Sequence, residues 1–277
     1  MPFLLLALFP SLSLGLDPNF VSIIFFLARK IAGFGPFIAA LILTSINYGK
    51  NGLREYFDRL IKWKVKIKWY IAAFGTPFLL YLVPTTFVII FGGSFPLLVT
   101  GIQNLLFPIE VILFFIFIFL ISGGNEEPGW RGFALPKLQD QYSPLVSNII
   151  LGTFWACLHL PLFFIPESDH YTENFLINFS LFLFFGIGLS FIIAWIYNNT
   201  ESILLAMIFH SAYTVSAWLL IPPKTSLENQ NLNFLFGAMF LALLYGIGIF
   251  LLYFFNLGVS RDTRLENDGK SDLENIV

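Results

Sequence analysis

Long apolar runs, broken by short polar stretches, recur from one end of this chain to the other. They show neither the two-residue alternation of a half-buried strand nor the single apolar stripe of a helix on a soluble core. A bilayer crossing needs about 20 mostly apolar residues, and the runs fit that length. The pattern predicts an all-α polytopic membrane protein of about eight transmembrane helices. The first covers residues 3–16 and continues past Asp17-Pro18 into 20–28 with a break at the proline; the others cover 31–46, 69–91, 105–122, 145–165, 175–197, 203–221 and 234–255. The first run has the apolarity of a signal sequence but lacks its basic start and small-residue cleavage site, so it reads as a membrane helix. One transmembrane domain over 1–259 is expected, followed by a polar, disordered tail over 260–277.

Composition agrees with the pattern. The 277 residues are 57% hydrophobic and only 12% charged, against roughly 25% charged in soluble domains, and the mean hydropathy is +0.79. The net charge of -2 leaves no basic footprint for nucleic acid. A single cysteine, Cys157, rules out an intrachain disulfide or a cysteine metal cage, and within an apolar run it reads as an inert packing residue. Seven of the 15 Lys and Arg residues crowd between Lys50 and Lys68, among Leu53, Phe57, Leu60, Ile61 and Trp63. A short basic, partly amphipathic loop of this kind is expected to face the cytoplasm and to touch anionic lipid. Alternating from that anchor makes 92–104 and Pro166–His170 external and Asn198–Glu201 a tight inner turn. Only Arg29-Lys30 and Lys224 run against the scheme. The expectation is an integral plasma-membrane protein, bathed in lipid, with its site toward the cytoplasmic side; oligomeric state stays open.

Chemistry concentrates in Gly123-Gly124-Asn125-Glu126-Glu127-Pro128-Gly129-Trp130-Arg131-Gly132. Charges beside hydrocarbon are expensive unless paired, so such a cluster is a functional-site hypothesis. On a helix Glu127 and Arg131 share a face while Glu126 points about 100° away. Glu127 would then be held as an ion pair, leaving Glu126 free as a general base. The plainer alternative is a cytoplasmic loop with a surface ion pair, Asn125 capping the next helix and Pro128 in its first turn. Two of the three histidines, His159 and His210, lie inside apolar runs. A lone imidazole there is more often a packing residue, but a carboxylate with two imidazoles is the minimum set for activating water. It would work either unaided or around a divalent ion such as zinc held by Glu126, His159 and His210. No His-Glu-x-x-His spacing occurs. His170 reads as solvated, and Glu110 as a carboxylate bonded locally or protonated.

These residues resemble a known family. Glu126 to Gln139 is similar to the E-E-x-x-x-R signature, with its G-W-R-G and L-P-x-L-Q surroundings, of the CPBP family of CAAX-processing endopeptidases and bacteriocin-processing and immunity (Abi) proteins. Phe154 to Pro161 resembles the second motif, with Trp155 four residues before His159. His210 to Thr214 resembles the third, His-x-x-x-Asn. The likeness covers about 108–216, with further similarity at Gly35–Ala40 and Trp63–Tyr70. It implies an eight-helix intramembrane endopeptidase in which Glu126 and His159 activate water, and His210 with its i+4 partner stabilises the oxyanion. Glu127, Arg131, Trp155 and Thr214 would support them. The implied substrate is a membrane-associated peptide or a prenylated protein. Thr214 stands where the family has Asn; its hydroxyl can donate, but with shorter reach. That departure keeps a catalytically silent immunity or scaffold protein as the rival. A transporter is the weaker third option, because internal repeats are missing.

Overall fold

A computed structural model describes residues 31–94, 96, 106–165, 168, 170–171, 174–222 and 229–255. Among them, seven helices are long and apolar enough to cross a membrane and every regular element is helical. This is the all-α polytopic architecture the apolar pattern predicts. The first predicted span and the polar tail lie outside the described residues. Helices dominate because hydrocarbon offers no partner for backbone N–H and C=O groups, which must bond within the segment.

The helices are α1 (Gly35–Leu60), α2 (Ile67–Ile90), the broken run α3 (Phe107–Gln139), α4 (Pro144–His159), α5 (Phe175–Thr200), α6 (Ile203–Leu220) and α7 (Gln230–Phe255). Two of their starts carry side-chain caps: Ser143 accepts from the Val146 N–H, and Ser202 from the Leu205 N–H. α6 is the central rod, packed along α2 and α5, while α7 lies on α2 and α5 and α4 on α5. Leu80, Ile192, Ile196, Leu205, Phe209 and Leu244 form the fully buried centre. Ile71, Phe154, Ile177 and Phe234 are exposed, an apolar outer surface that suits lipid. Cys157 is exposed as well, so it is not the interior packing residue expected of it.

Two elements depart from the expected boundaries. The basic stretch is not a loop throughout: α1 continues to Leu60 across a reversal at Gly49 (φ 60°, ψ -152°). The reversal folds its arms together until the Phe37 and Tyr56 rings stack at 6.4 Å. Tyr56, Leu53 and Leu60 recur at helical spacing, and Tyr56 is wholly buried, so burial of one face keeps the second arm helical despite its charges. The second departure is α3, which does not end at Ser122 but stays helical in changing pitch to Gln139.

The ends of the molecule can be assigned from contacts. At one end Arg59 donates to the Tyr197 hydroxyl (2.8 Å), Lys62 pairs with Glu201 (3.3 Å) and Ser202 donates to the Lys62 carbonyl (2.6 Å). The basic connection and the α5–α6 turn therefore share a face, as the predicted topology requires. At the other end Thr85 donates to the Leu220 carbonyl (2.6 Å).

Candidate active site

Glycines and a proline set the geometry of α3. Around Gly123-Gly124 and Pro128 the helical ladder changes from α to π over Ile118–Ser122, to a 3-10 turn at Gly124–Glu126, to a short α turn at Glu127–Gly129 and to π again at Trp130–Ala134. Such register changes rotate side chains off a regular helix face and recur at functional sites. α1 clamps the break, with the Tyr56 hydroxyl donating to the Pro128 carbonyl (2.9 Å). Pro36 lies against Gly129 so closely that an added Cβ would sit 2.4 Å from its backbone. Asn125 is buried but makes no cap bond, contrary to the plainer expectation for it. Pro128 does stand in the first turn of its short helix.

Glu127 is completely buried and accepts from Arg131 at 2.9 and 3.1 Å, the pair foreseen from the four-residue spacing. Its Oε1 also meets His210 Nδ1 at 2.8 Å. A carboxylate already held by a guanidinium only accepts, so His210 Nδ1 carries a proton and donates. The other ring nitrogen, Nε2, lies over Gly123, where an added Cβ would crowd it at 3.0 Å. Arg131 continues the chain to Ser190 Oγ (3.3 Å), which donates to Asn148 Oδ1 (2.9 Å), and Asn148 donates to the Pro144 carbonyl (2.8 Å). Removing one member of a buried ion pair costs about 3–5 kcal/mol, so this chain is a rigid support.

Glu126 follows a different path. It is 7% exposed, and its Oε2 accepts from the indole Nε1–H of Trp155 (2.9 Å). The backbone carbonyl of the same Trp155 takes a bond from His159 Nδ1 (2.9 Å), since a carbonyl can only accept. In neutral His159 the lone pair is then on Nε2. Trp155 itself is located by a close helix crossing, where a Cβ on Gly152 would fall 2.6 Å from Ile187 of α5. Glu126, Trp155, His159, His210, Tyr213 and Thr214 all line one cavity of about 300 Å³. Three helices, α3, α4 and α6, supply these residues. Glu127 and Arg131 are not among its lining residues and support it from behind His210.

This convergence gives similarity to known proteins a physical meaning. Residues 108–216 match a family described as Type II CAAX prenyl endopeptidase Rce1-like. The chain is also 30% identical over 211 residues to CAAX prenyl protease 2 of Methanococcus maripaludis, covering 73% of this chain and 76% of that one. The chain belongs to the Rce1-like CAAX prenyl endopeptidase family. As a member with seven candidate crossings among its described residues, it is an integral membrane protein of the intramembrane protease class.

Several positions in this endopeptidase differ from the sequence-based expectation. His159 lies within its predicted span, which runs over Pro144–Phe164, but the helix tightens just after it to a 3-10 segment containing Pro161 at Leu160–Phe164. His170, expected to be solvated, packs its ring at 5.7 Å from His159 and 5.0 Å from Phe182 and lines the same cavity; aromatic neighbours outweigh its loop position. Glu110 is exposed in the first turn of α3. The Thr214 hydroxyl donates to the His210 carbonyl (3.3 Å) in its own helix. The cavity also extends away from the basic end, to His170 on the α4–α5 connection, because α3 runs on from Glu126 to Gln139, roughly 20 Å of helix at about 1.5 Å per residue. Ser190, Asn148, Tyr81 and Tyr213 were not singled out in the sequence, although isolated polar residues in apolar spans are the signal that finds such groups. Among the described residues no three of His, Cys, Asp and Glu are placed to hold a metal ion.

Proposed function

We propose that this protein hydrolyses a peptide bond near the prenylated end of a membrane-associated CAAX-type substrate, using water activated by Glu126 with His159. The observation carrying this reading is the double role of Trp155, whose indole N–H holds Glu126 and whose carbonyl holds His159 beside one cavity. A single residue thus fixes a carboxylate and an imidazole toward a common space. Membership of the Rce1-like family supports the substrate class. So does an apolar chamber of about 930 Å³ that shares His170, Phe182 and Phe185 with the polar cavity. A lipid chain fits the chamber while the peptide enters the cavity.

The chemistry follows from which atoms are free. Trp155 occupies Glu126 Oε2, so Oε1 is the oxygen available to take a proton from water. His159 Nε2 carries the lone pair that orients the same water. As the water oxygen attacks the scissile carbonyl, its proton passes to Glu126 and the carbonyl π pair moves onto oxygen. In its imidazolium form His210, anchored through Nδ1 to Glu127, offers Nε2–H to that charge. Collapse breaks the C–N bond, and the leaving amine takes the proton from Glu126.

Purified protein in detergent, given a fluorogenic farnesylated peptide ending Cys-aliphatic-aliphatic-X, should cut it. Glu126→Ala and His159→Ala should each lower kcat roughly 10³-fold, with helical circular dichroism unchanged. Undiminished cleavage by either variant would end the reading. Peptide binding by the wild type with no cleavage would point to the silent scaffold.

A further inference from the structure

The site has a gap in its chemistry. A helical turn beyond His210 the family pattern places an amide, whereas this chain has Thr214, whose hydroxyl is turned back onto the His210 carbonyl at 3.3 Å. A hydroxyl bonded to its own helix is a poor donor to anything outside it. The developing oxyanion would then rest on His210 alone.

Next to Thr214 the cavity holds two phenols, Tyr81 from α2 and Tyr213 from α6. They share a hydrogen bond in which the Tyr81 hydroxyl donates to that of Tyr213, with ring centroids 5.2 Å apart. Two hydroxyls carry two protons, and one hydrogen bond between them uses one. The second has no acceptor among the described residues. Tyr81 is 4% exposed and wedged against Phe240 as well (4.9 Å), so it is the inner member. Tyr213 is the more open one, one position from Thr214 and one turn from His210. A phenol that accepts one hydrogen bond also donates a stronger one, by about 10–30%.

We infer that Tyr213, held and polarised by Tyr81, supplies the hydrogen bond to the oxyanion that Thr214 does not. This rests on the peptidase function proposed above. The step transfers no proton at Tyr213: its O–H stays intact and points at the oxygen that receives the carbonyl π pair. The water proton still travels through Glu126 to the leaving amine. Tyr213 is then a catalytic residue and Tyr81 a positioning residue.

The test uses full-length enzyme and the same farnesylated peptide. Tyr213→Phe should lower kcat about 10²-fold, the loss typical of an oxyanion donor, with KM within about threefold. Tyr81→Phe should lower kcat by a smaller factor, on the order of tenfold, because the donor remains and only its polarisation is lost. The decisive arm is Tyr213→Phe combined with Thr214→Asn. A new amide N–H should return at least tenfold of the lost kcat without raising the Tm of the single variant. A Tyr213→Phe enzyme within about threefold of wild type in kcat, or a double variant no faster than Tyr213→Phe, overturns the inference, the second outcome even where Tyr213→Phe lowers the Tm. If Glu126→Ala is dead and Tyr213→Phe is unimpaired, only the tyrosine assignment falls. If Glu126→Ala still cuts, the peptidase function falls and takes this assignment with it.

Discussion

At the scale of single residues, Trp155 has the largest influence per atom. Its N–H fixes one oxygen of Glu126, and its carbonyl fixes the tautomer of His159. Trp155→Phe keeps an aromatic ring in the close crossing near Gly152 but removes the charged hydrogen bond, an interaction type worth about 1.5–3 kcal/mol. The expected outcome is a fall in kcat of about 10- to 100-fold with KM little changed, measured in steady-state assays on the farnesylated peptide. Part of this residue-level picture was legible in the chain. The Glu127–Arg131 pair follows from helical spacing alone and is found at 2.9 Å. The link between Glu126 and Trp155 was not, because it joins residues 29 apart on different helices, and nothing local in either segment encodes which indole meets which carboxylate. The same holds for Ser190 and Asn148, polar residues in largely apolar runs until packing brings Ser190 to Arg131 and Asn148 to Ser190.

At the scale of elements, the decisive object is the break in α3 and the arm that clamps it. The predicted span ends at Ser122, where the apolar run gives way to Gly123-Gly124, Pro128 and the charges around them. Here helical geometry resumes after the glycines and the proline with a different pitch, which the end of an apolar run does not reveal. Burial decides the matter: Glu127, Gly129 and Gly132 are enclosed by α1 and α6, and a buried loop would leave its backbone groups unpaired. Gly129 is the test of this clamp. Gly129→Ala drives a methyl to 2.4 Å from Pro36, backbone that cannot swing aside as a flexible side chain does. Overpacking of this kind costs about 1–3 kcal/mol, occasionally more. Thermal unfolding in detergent should show a clear drop in Tm for Gly129→Ala, and none for Gly75→Ala, whose added Cβ meets nothing within 4 Å. Equal Tm values for the two would mean that α1 does not seat against the break.

For the whole molecule, the number and order of the described crossings were legible because hydropathy over a bilayer length is a strong, purely local signal. Depth was not, because it depends on how far each rod continues beyond its apolar run. Three crossings, α2, α3 and α4, separate the basic connection from the α4–α5 connection, so Lys64 and Tyr171 belong to opposite faces. With the exposed Cys157 replaced by Ala, single cysteines at Lys64→Cys and Tyr171→Cys in sealed vesicles of one orientation should react with an impermeant maleimide from opposite sides. Labelling of both from the same side would refute the crossing order. The apolar chamber and the polar cavity meet at Phe182, Phe185 and His170, and that junction has a kinetic corollary. In the proposed reaction the tail of the substrate stays in oil, so water is the reactant that must enter from the other side. Turnover in such a design tracks hydration, slowing in concentrated osmolyte more than it does with dilution of the substrate.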